Sequence, residues 1–395
     1  MSESSVLERP VQTKKNEVRL LVGTFTSTLG SGVSVIASAL LISYQHGEAS
    51  NIGLLFIIVA LPQAFFSFLF GQMADRFSPE KICLVANSIC AIASVWIFAA
   101  VFADTISPMK LYIAAFILSS CAAVIFPATN SLIRRCVDGP ALARFSAHFE
   151  IALQFGSLIS VALGGVAMDL FSPAYVFLFS ALSYLISGII IAGVSYTRYK
   201  RLENAPDIAS VTTHYRISGA LFLYATGSVI ITVTNTLMVI LVIQYFSANA
   251  TSLGIADALA GGGVIMSAFL MAPLRRFLSL PAMIIMGYLL CAVCILIQPR
   301  FELVHFFILF PLGSFFYGFA RIGCRQLIYS ISAVNQTGRL FGIANATGLA
   351  ISVPVTLLIS HIVEQNGVIT GYAGTAIFVA MSTVIFSVML CARKS

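Results

Sequence analysis

Of 395 residues, 59% are hydrophobic and only 9% are charged, and the mean hydropathy is +0.97. An ordinary soluble domain carries roughly a quarter charged residues, so a water-soluble globule is excluded for want of polar surface to cover this apolar mass. The formal charge of +7 would suggest nucleic acid in a soluble chain, but in lipid basic residues set topology first, and no nucleic-acid partner is expected.

The first seventeen residues, MSESSVLERPVQTKKNE, are polar and lack the apolar core and small-residue cleavage site of a signal peptide. They read as a cytoplasmic tail, 1–17. Six apolar spans follow at 18–44, 51–70, 82–102, 109–133, 145–168 and 174–194, each about as long as a bilayer crossing requires. A hydrophilic stretch at 198–216, with Asn204, Pro206, Asp207 and His214, interrupts the pattern. Six more spans run 217–245, 252–274, 281–297, 303–328, 341–363 and 372–391. The expectation is an all-α membrane protein of twelve transmembrane helices in two pseudo-symmetric six-helix bundles, 18–197 and 217–395, joined by a cytoplasmic linker.

Positive residues are retained on the cytoplasmic side of a membrane. With both termini in the cytoplasm, this span assignment leaves only Lys110 and Arg300, of 22 Lys and Arg, on the outer side. A missed or extra helix would scramble that asymmetry. The halves also repeat. Asp75-Arg76-Phe77 corresponds to Arg275-Arg276-Phe277 in the loop after the second helix of each half, and Asn130-Ser-Leu-Ile corresponds to Arg325-Gln-Leu-Ile at the junction of fourth and fifth helices.

Gly71-Gln-Met-Ala-Asp75-Arg76-Phe-Ser-Pro-Glu-Lys81 resembles the loop signature of the major facilitator superfamily, G-x-x-x-D-R-x-G-R-R. Gly71, Asp75 and Arg76 match, Ser78 and Pro79 replace the usual Gly and Arg, and Lys81 keeps a positive charge nearby. The resemblance implies a gating role on the inner side for Asp75 and Arg76; the alternative is a solvated turn. In the fifth span, Gly156-x-x-x-Ser160-Val161-x-x-Gly164-Gly165 resembles the exporter-associated signature G-x-x-x-G-P-x-x-G-G with its central Gly-Pro replaced, although small residues at these spacings serve helix packing equally well. From Phe126-Pro127 through Leu185 the pattern is most similar to the drug, macrolide and siderophore exporters of that superfamily. In such transporters the first, fourth, seventh and tenth helices line the central cavity.

Ionisable residues inside a hydrocarbon span are costly and mark function by default. Glu150, two turns into the fifth span, is the leading proton-coupling candidate, with His148 beside it and Asp257 of the eighth span as a second. A carboxylate whose cationic neighbours alternate would load and release a proton; the alternative is a static Glu-Arg pair. Arg321 and Arg325 share one face of the tenth helix and suit an anionic solute, although Arg325 also fits an ordinary inner-rim residue. Asn130, Asn235, Tyr317 and Ser31 are candidates for neutral hydrogen bonds to a solute. Cys291 and Cys294 form a C-x-x-C without a second Cys or His pair, so packing is expected rather than metal or redox chemistry.

No H-E-x-x-H, G-x-S-x-G or nucleotide motif is present, which disfavours an enzyme or an ATP-driven pump. The reading is a secondary transporter in a bacterial inner membrane. It exports a small amphipathic or anionic molecule, siderophore or drug-like, by alternating access and proton antiport. The alternatives are a proton- or solute-coupled importer and a non-transporting membrane receptor. No metal or organic cofactor is expected beyond the proton gradient, the partners are the solute and membrane lipid, and a monomer is anticipated.

Overall fold

The computed structural model describes residues 4–46, 49–137, 140–195, 211–248, 250–333 and 335–391. Among these there is no strand. Twelve α-helices follow in order: α1 (Ser4–His46), α2 (Ala49–Arg76), α3 (Pro79–Phe102), α4 (Pro108–Cys136), α5 (Pro140–Leu170), α6 (Pro173–Ala192), α7 (Val211–Val239), α8 (Ala250–Leu274), α9 (Leu280–Ile297), α10 (Leu303–Ile331), α11 (Thr337–Asn366) and α12 (Val368–Cys391). A π-helical turn, Ile240–Tyr245, continues α7. Eleven of these helices, all but α5, carry a described window long and apolar enough to cross a membrane; α5 is itself 31 residues long. The fold is that of a multi-pass membrane protein with two pseudo-symmetric six-helix bundles.

Several helices begin where the sequence supplies a proline with fixed φ and no N–H to strand. Ser78-Pro79, Ser107-Pro108 and Ser172-Pro173 open α3, α4 and α6, and Ser279 accepts from the Ala282 amide at the start of α9. The internal repeat is visible in the elements themselves. Helices α4 and α10 are both 29 residues long, and their bounds are offset by 195 at either end, the same offset that relates Asn130 to Arg325.

The chain divides into two compact units: Met1–Phe145, Ala152–Arg198 and Ala333–Ala346 form the first, and Ser146–Ile151, Tyr199–Ser332 and Thr347–Ser395 the second. In the first, Val33, Leu55, Ile97, Leu111 and Phe177 build a core. Serines of α6 dock on α1, the Ser180 hydroxyl donating to the Gly30 carbonyl at 2.9 Å and Ser187 to Gly23 at 2.8 Å, so small residues bring the backbones together and polar bonds hold them. In the second, Gly287 of α9 abuts α10, where an added Cβ would lie 2.8 Å from the Phe316 carbonyl. The Tyr288 hydroxyl donates to the Leu223 carbonyl of α7 at 2.8 Å.

The helices overrun the apolar spans at several charged ends. Asp75 and Arg76, expected in a loop, occupy the last turn of α2, and α7 begins at Val211 rather than 217. The segment expected as a tail is helical from Ser4, making α1 43 residues long, or about 65 Å. Hydropathy stops at the first charge, whereas an α-helix satisfies its own backbone and continues through the headgroup region with its side chains in water. The linker, apart from α7's first turns, lies outside the described residues.

Candidate functional site

Two polar constellations lie among the apolar helices. The first centres on Asp75. One carboxylate oxygen, Oδ1, accepts from the Gly338 amide at 2.8 Å and from the Ser131 hydroxyl at 3.1 Å; the other, Oδ2, accepts from the Arg339 amide at 2.7 Å. Gly338 and Arg339 belong to the first turn of α11, whose amides have no intrahelical acceptors, so Asp75 caps from a distance a helix that starts with no acidic residue of its own. Arg135 of α4 donates to the carbonyls of Ala74 and Asp75 at 3.3 and 3.0 Å and steadies this end of α2. Gly71 explains itself here: a Cβ at this position would lie 2.7 Å from the Gly338 carbonyl, so any side chain would push α2 off α11. Asn345 donates to the Ser67 hydroxyl at 2.9 Å one turn further along. Arg76 and Lys81 stand exposed beside this constellation.

The second constellation brings Glu150, Arg321, Arg325 and Tyr317 together. Arg325 Nη2 lies 3.0 Å from Glu150 Oε2, with side-chain exposures of 1% and 6%. The guanidinium also stacks over the Phe149 ring at 4.8 Å and donates to the Tyr224 hydroxyl at 3.5 Å. One turn away, Arg321 lies over the face of Tyr224 at 3.9 Å and donates to the Tyr224 carbonyl at 3.2 Å and the Ser228 hydroxyl at 3.3 Å. Gly227 makes the room: a Cβ there would come within 2.8 Å of the Tyr288 hydroxyl and 3.3 Å of Arg321 Nη1. Two guanidiniums face one carboxylate, leaving one net positive charge in a buried aromatic setting. Arg325 Nε and Nη1 and the Tyr317 hydroxyl make no hydrogen bond among the described residues. Arg325 is therefore a buried, ion-paired residue and not a solvated one.

Other expected residues lie apart from this cluster. His148 is exposed, two positions from Glu150 and hence turned away from it. Asp257 is partly buried on α8 with no ion pair or hydrogen bond among the described residues, and Asn235 is exposed on α7. Asn130 belongs to the first unit, fully buried, its amide bonded at 2.8 Å to the Phe126 carbonyl of its own helix. Ser31 lines a small chamber in that same unit. Two of the α5 glycines lie against α1: Cβ atoms at Gly156 and Gly164 would meet Thr28 at 3.0 Å and Ile36 at 3.4 Å. The Gly165 side lies outside the described residues. Cys291 and Cys294 are buried free thiols.

The sequence reading missed Tyr224, Tyr288, Tyr329 and Phe149, which enclose the arginines. Their signal was the hydroxyl itself, since a tyrosine inside a hydrocarbon span needs a polar partner. That Asp75 caps α11 was likewise not legible. Its separation of 263 residues from Gly338 left no local trace.

Comparison with known proteins fits this architecture. The chain is 23% identical over 373 residues to the uncharacterised MFS-type transporter YfiS of Bacillus subtilis, covering 87% of this chain and 86% of that one. A shorter stretch of 152 residues, 37% of this chain and 36% of the other, is 23% identical to the multidrug efflux pump Tap of Mycobacterium tuberculosis. Among solved structures, the outward-facing bacterial homologue of the iron transporter ferroportin superposes with a TM-score of 0.75 at 16% identity, over 94% of this chain and 99% of that one. The human organic anion transporter MFSD10 gives 0.74 at 14% identity, over 95% and 99%. The family model of the Major Facilitator Superfamily matches residues 20–352, and with twelve helices, a duplicated α4/α10 pair and the Asp75 cap in place, the chain belongs to that superfamily of membrane transporters.

Proposed function

We propose that this transporter exports a small amphipathic or anionic molecule, siderophore or drug-like, from the cytoplasm by alternating access and proton antiport across a bacterial inner membrane, both termini lying inside. The observation that carries the reading is the buried Glu150–Arg325 pair beside Arg321. Antiport requires that solute and proton exclude one another. A solute whose positive or hydrogen-bond-donating group engages Glu150 meets that condition, while its anionic or acceptor groups use Arg321 and the remaining donors of Arg325 and Tyr317. Similarity to an efflux pump over part of the chain supports the outward direction.

The same pair favours a second reading for a purely anionic solute. An anion that takes Arg325 from Glu150 leaves the carboxylate to accept a proton, so anion and proton bind together and travel inward together. The two readings differ in sign: solute binding releases protons from the purified protein in the first and takes them up in the second. Comparing intracellular and secreted metabolites in cells with and without the gene identifies the solute and the direction. With it in proteoliposomes, Glu150→Gln is expected to abolish the dependence of flux on a pH gradient while membrane insertion is unchanged. Unaltered gradient dependence would remove Glu150 from the coupling role, and binding without flux would make the protein a receptor.

A further inference from the structure

The first unit contains a chamber of about 40 Å³ between α1, α2 and α4, room for an ion with a water or two. Its polar wall is lopsided. Ser38 donates its hydroxyl proton to the Ser34 carbonyl at 2.8 Å, and Ser119 donates its own to the Val59 carbonyl. The Gln63 amide donates to Val59 O at 3.4 Å and Ser119 Oγ at 3.5 Å. The donors of three lining side chains are thus spent on their neighbours, and what they offer the chamber is oxygen lone pairs. Ser34, 1% exposed, lines the same wall with a hydroxyl that has no partner among the described residues. Pro62, within α2, lacks the N–H that would bond the Ile58 carbonyl, one residue before Val59 of the lining.

We propose that this chamber is a binding site for a small alkali cation, sodium being the probe. An acceptor-lined wall suits a cation, and the uncommitted Ser34 hydroxyl can turn its own lone pairs towards one. A divalent ion would need carboxylates, and none lines the wall. Monovalent ions are held in membrane proteins by neutral hydroxyl and carbonyl oxygens alone, including carbonyls released where a helix loses its regular bonding. The site is separate from Glu150 and Arg325, which belong to the other unit, so it stands whether or not the proton reading does.

The test is equilibrium binding of radioactive sodium to the full-length purified protein in choline chloride, with unlabelled sodium as competitor. Saturable binding near one ion per chain is expected, and Ser34→Ala or Gln63→Leu should each raise the half-saturating concentration about tenfold. Both variants are checked for an unchanged elution profile and unchanged melting in choline; one well-folded variant suffices. Absence of saturable sodium binding to the wild type would overturn the proposal and leave the chamber to water. So would binding that survives both substitutions, because the ion would then sit elsewhere.

Discussion

Removing one partner of the Glu150–Arg325 pair should cost far more than removing both. At a separation of 3.0 Å and an effective dielectric constant of about 20, the Coulomb attraction is about 5 kcal/mol, most of which offsets the cost of taking both groups out of water. Glu150→Leu strands a guanidinium that cannot shed its proton, and a loss of about 3–5 kcal/mol is expected. Arg325→Leu strands a carboxyl that can be neutralised by protonation, so its penalty should be smaller, although stacking on Phe149 and the bond to Tyr224 are lost as well. The double variant should recover most of the loss, because the two leucines remove both members of the pair and leave the cluster's net charge, that of Arg321, as it was. The assay is a double-mutant cycle on reversible unfolding in mixed detergent and SDS micelles, with wild type, both singles and the double measured at one pH. Additive single effects would refute the claim that the pair is electrostatically coupled, and a mild Glu150→Leu would refute the claim that it is dry.

Asp75→Ala should destabilise the protein by about 1–2 kcal/mol, since two main-chain donors of α11 lose a charged cap, and Asp75→Asn should recover part of that; thermal melts of the two variants test the order. Gly227→Ala should weaken solute binding severalfold with little change in melting temperature, because the methyl group displaces the Arg321 and Tyr288 heads rather than backbone. Equal losses in binding and stability would count against that. Arg321→Ala should weaken an anionic solute more than a neutral one in a competition assay. Arg321→Lys should rescue it only partly, since an ammonium cannot reproduce the planar stack on Tyr224.

The architecture was legible because bilayer thickness and charge retention act on every helix at once, so twelve spans and the 195-residue repeat could be read before any contact was known. Several helix ends were not, since Arg76, Arg135 and Arg339 interrupt hydropathy without interrupting the helix. At the candidate site, charge in hydrocarbon singled out Glu150, Arg321 and Arg325, and the structure brings all three together. The same criterion also selected His148 and Asp257, which lie apart from it, because cost of burial identifies a residue but not the direction its side chain takes. Tyr224 and Tyr288 escaped notice for the opposite reason: each is apolar enough to pass as packing, and its hydroxyl acquires meaning only once α7, α9 and α10 are adjacent. The chamber behind Ser34 depends on which hydroxyl protons are already committed, which no linear pattern records.

The cap that Asp75 provides also dictates where the protein must be wet. Whenever α2 withdraws from the start of α11, the amides of Gly338 and Arg339 are left without an acceptor, and in hydrocarbon each such loss costs several kcal/mol. Separation at that point is affordable only if bulk solvent floods in behind the retreating carboxylate, so any rearrangement there begins as a hydration event at this end of α2.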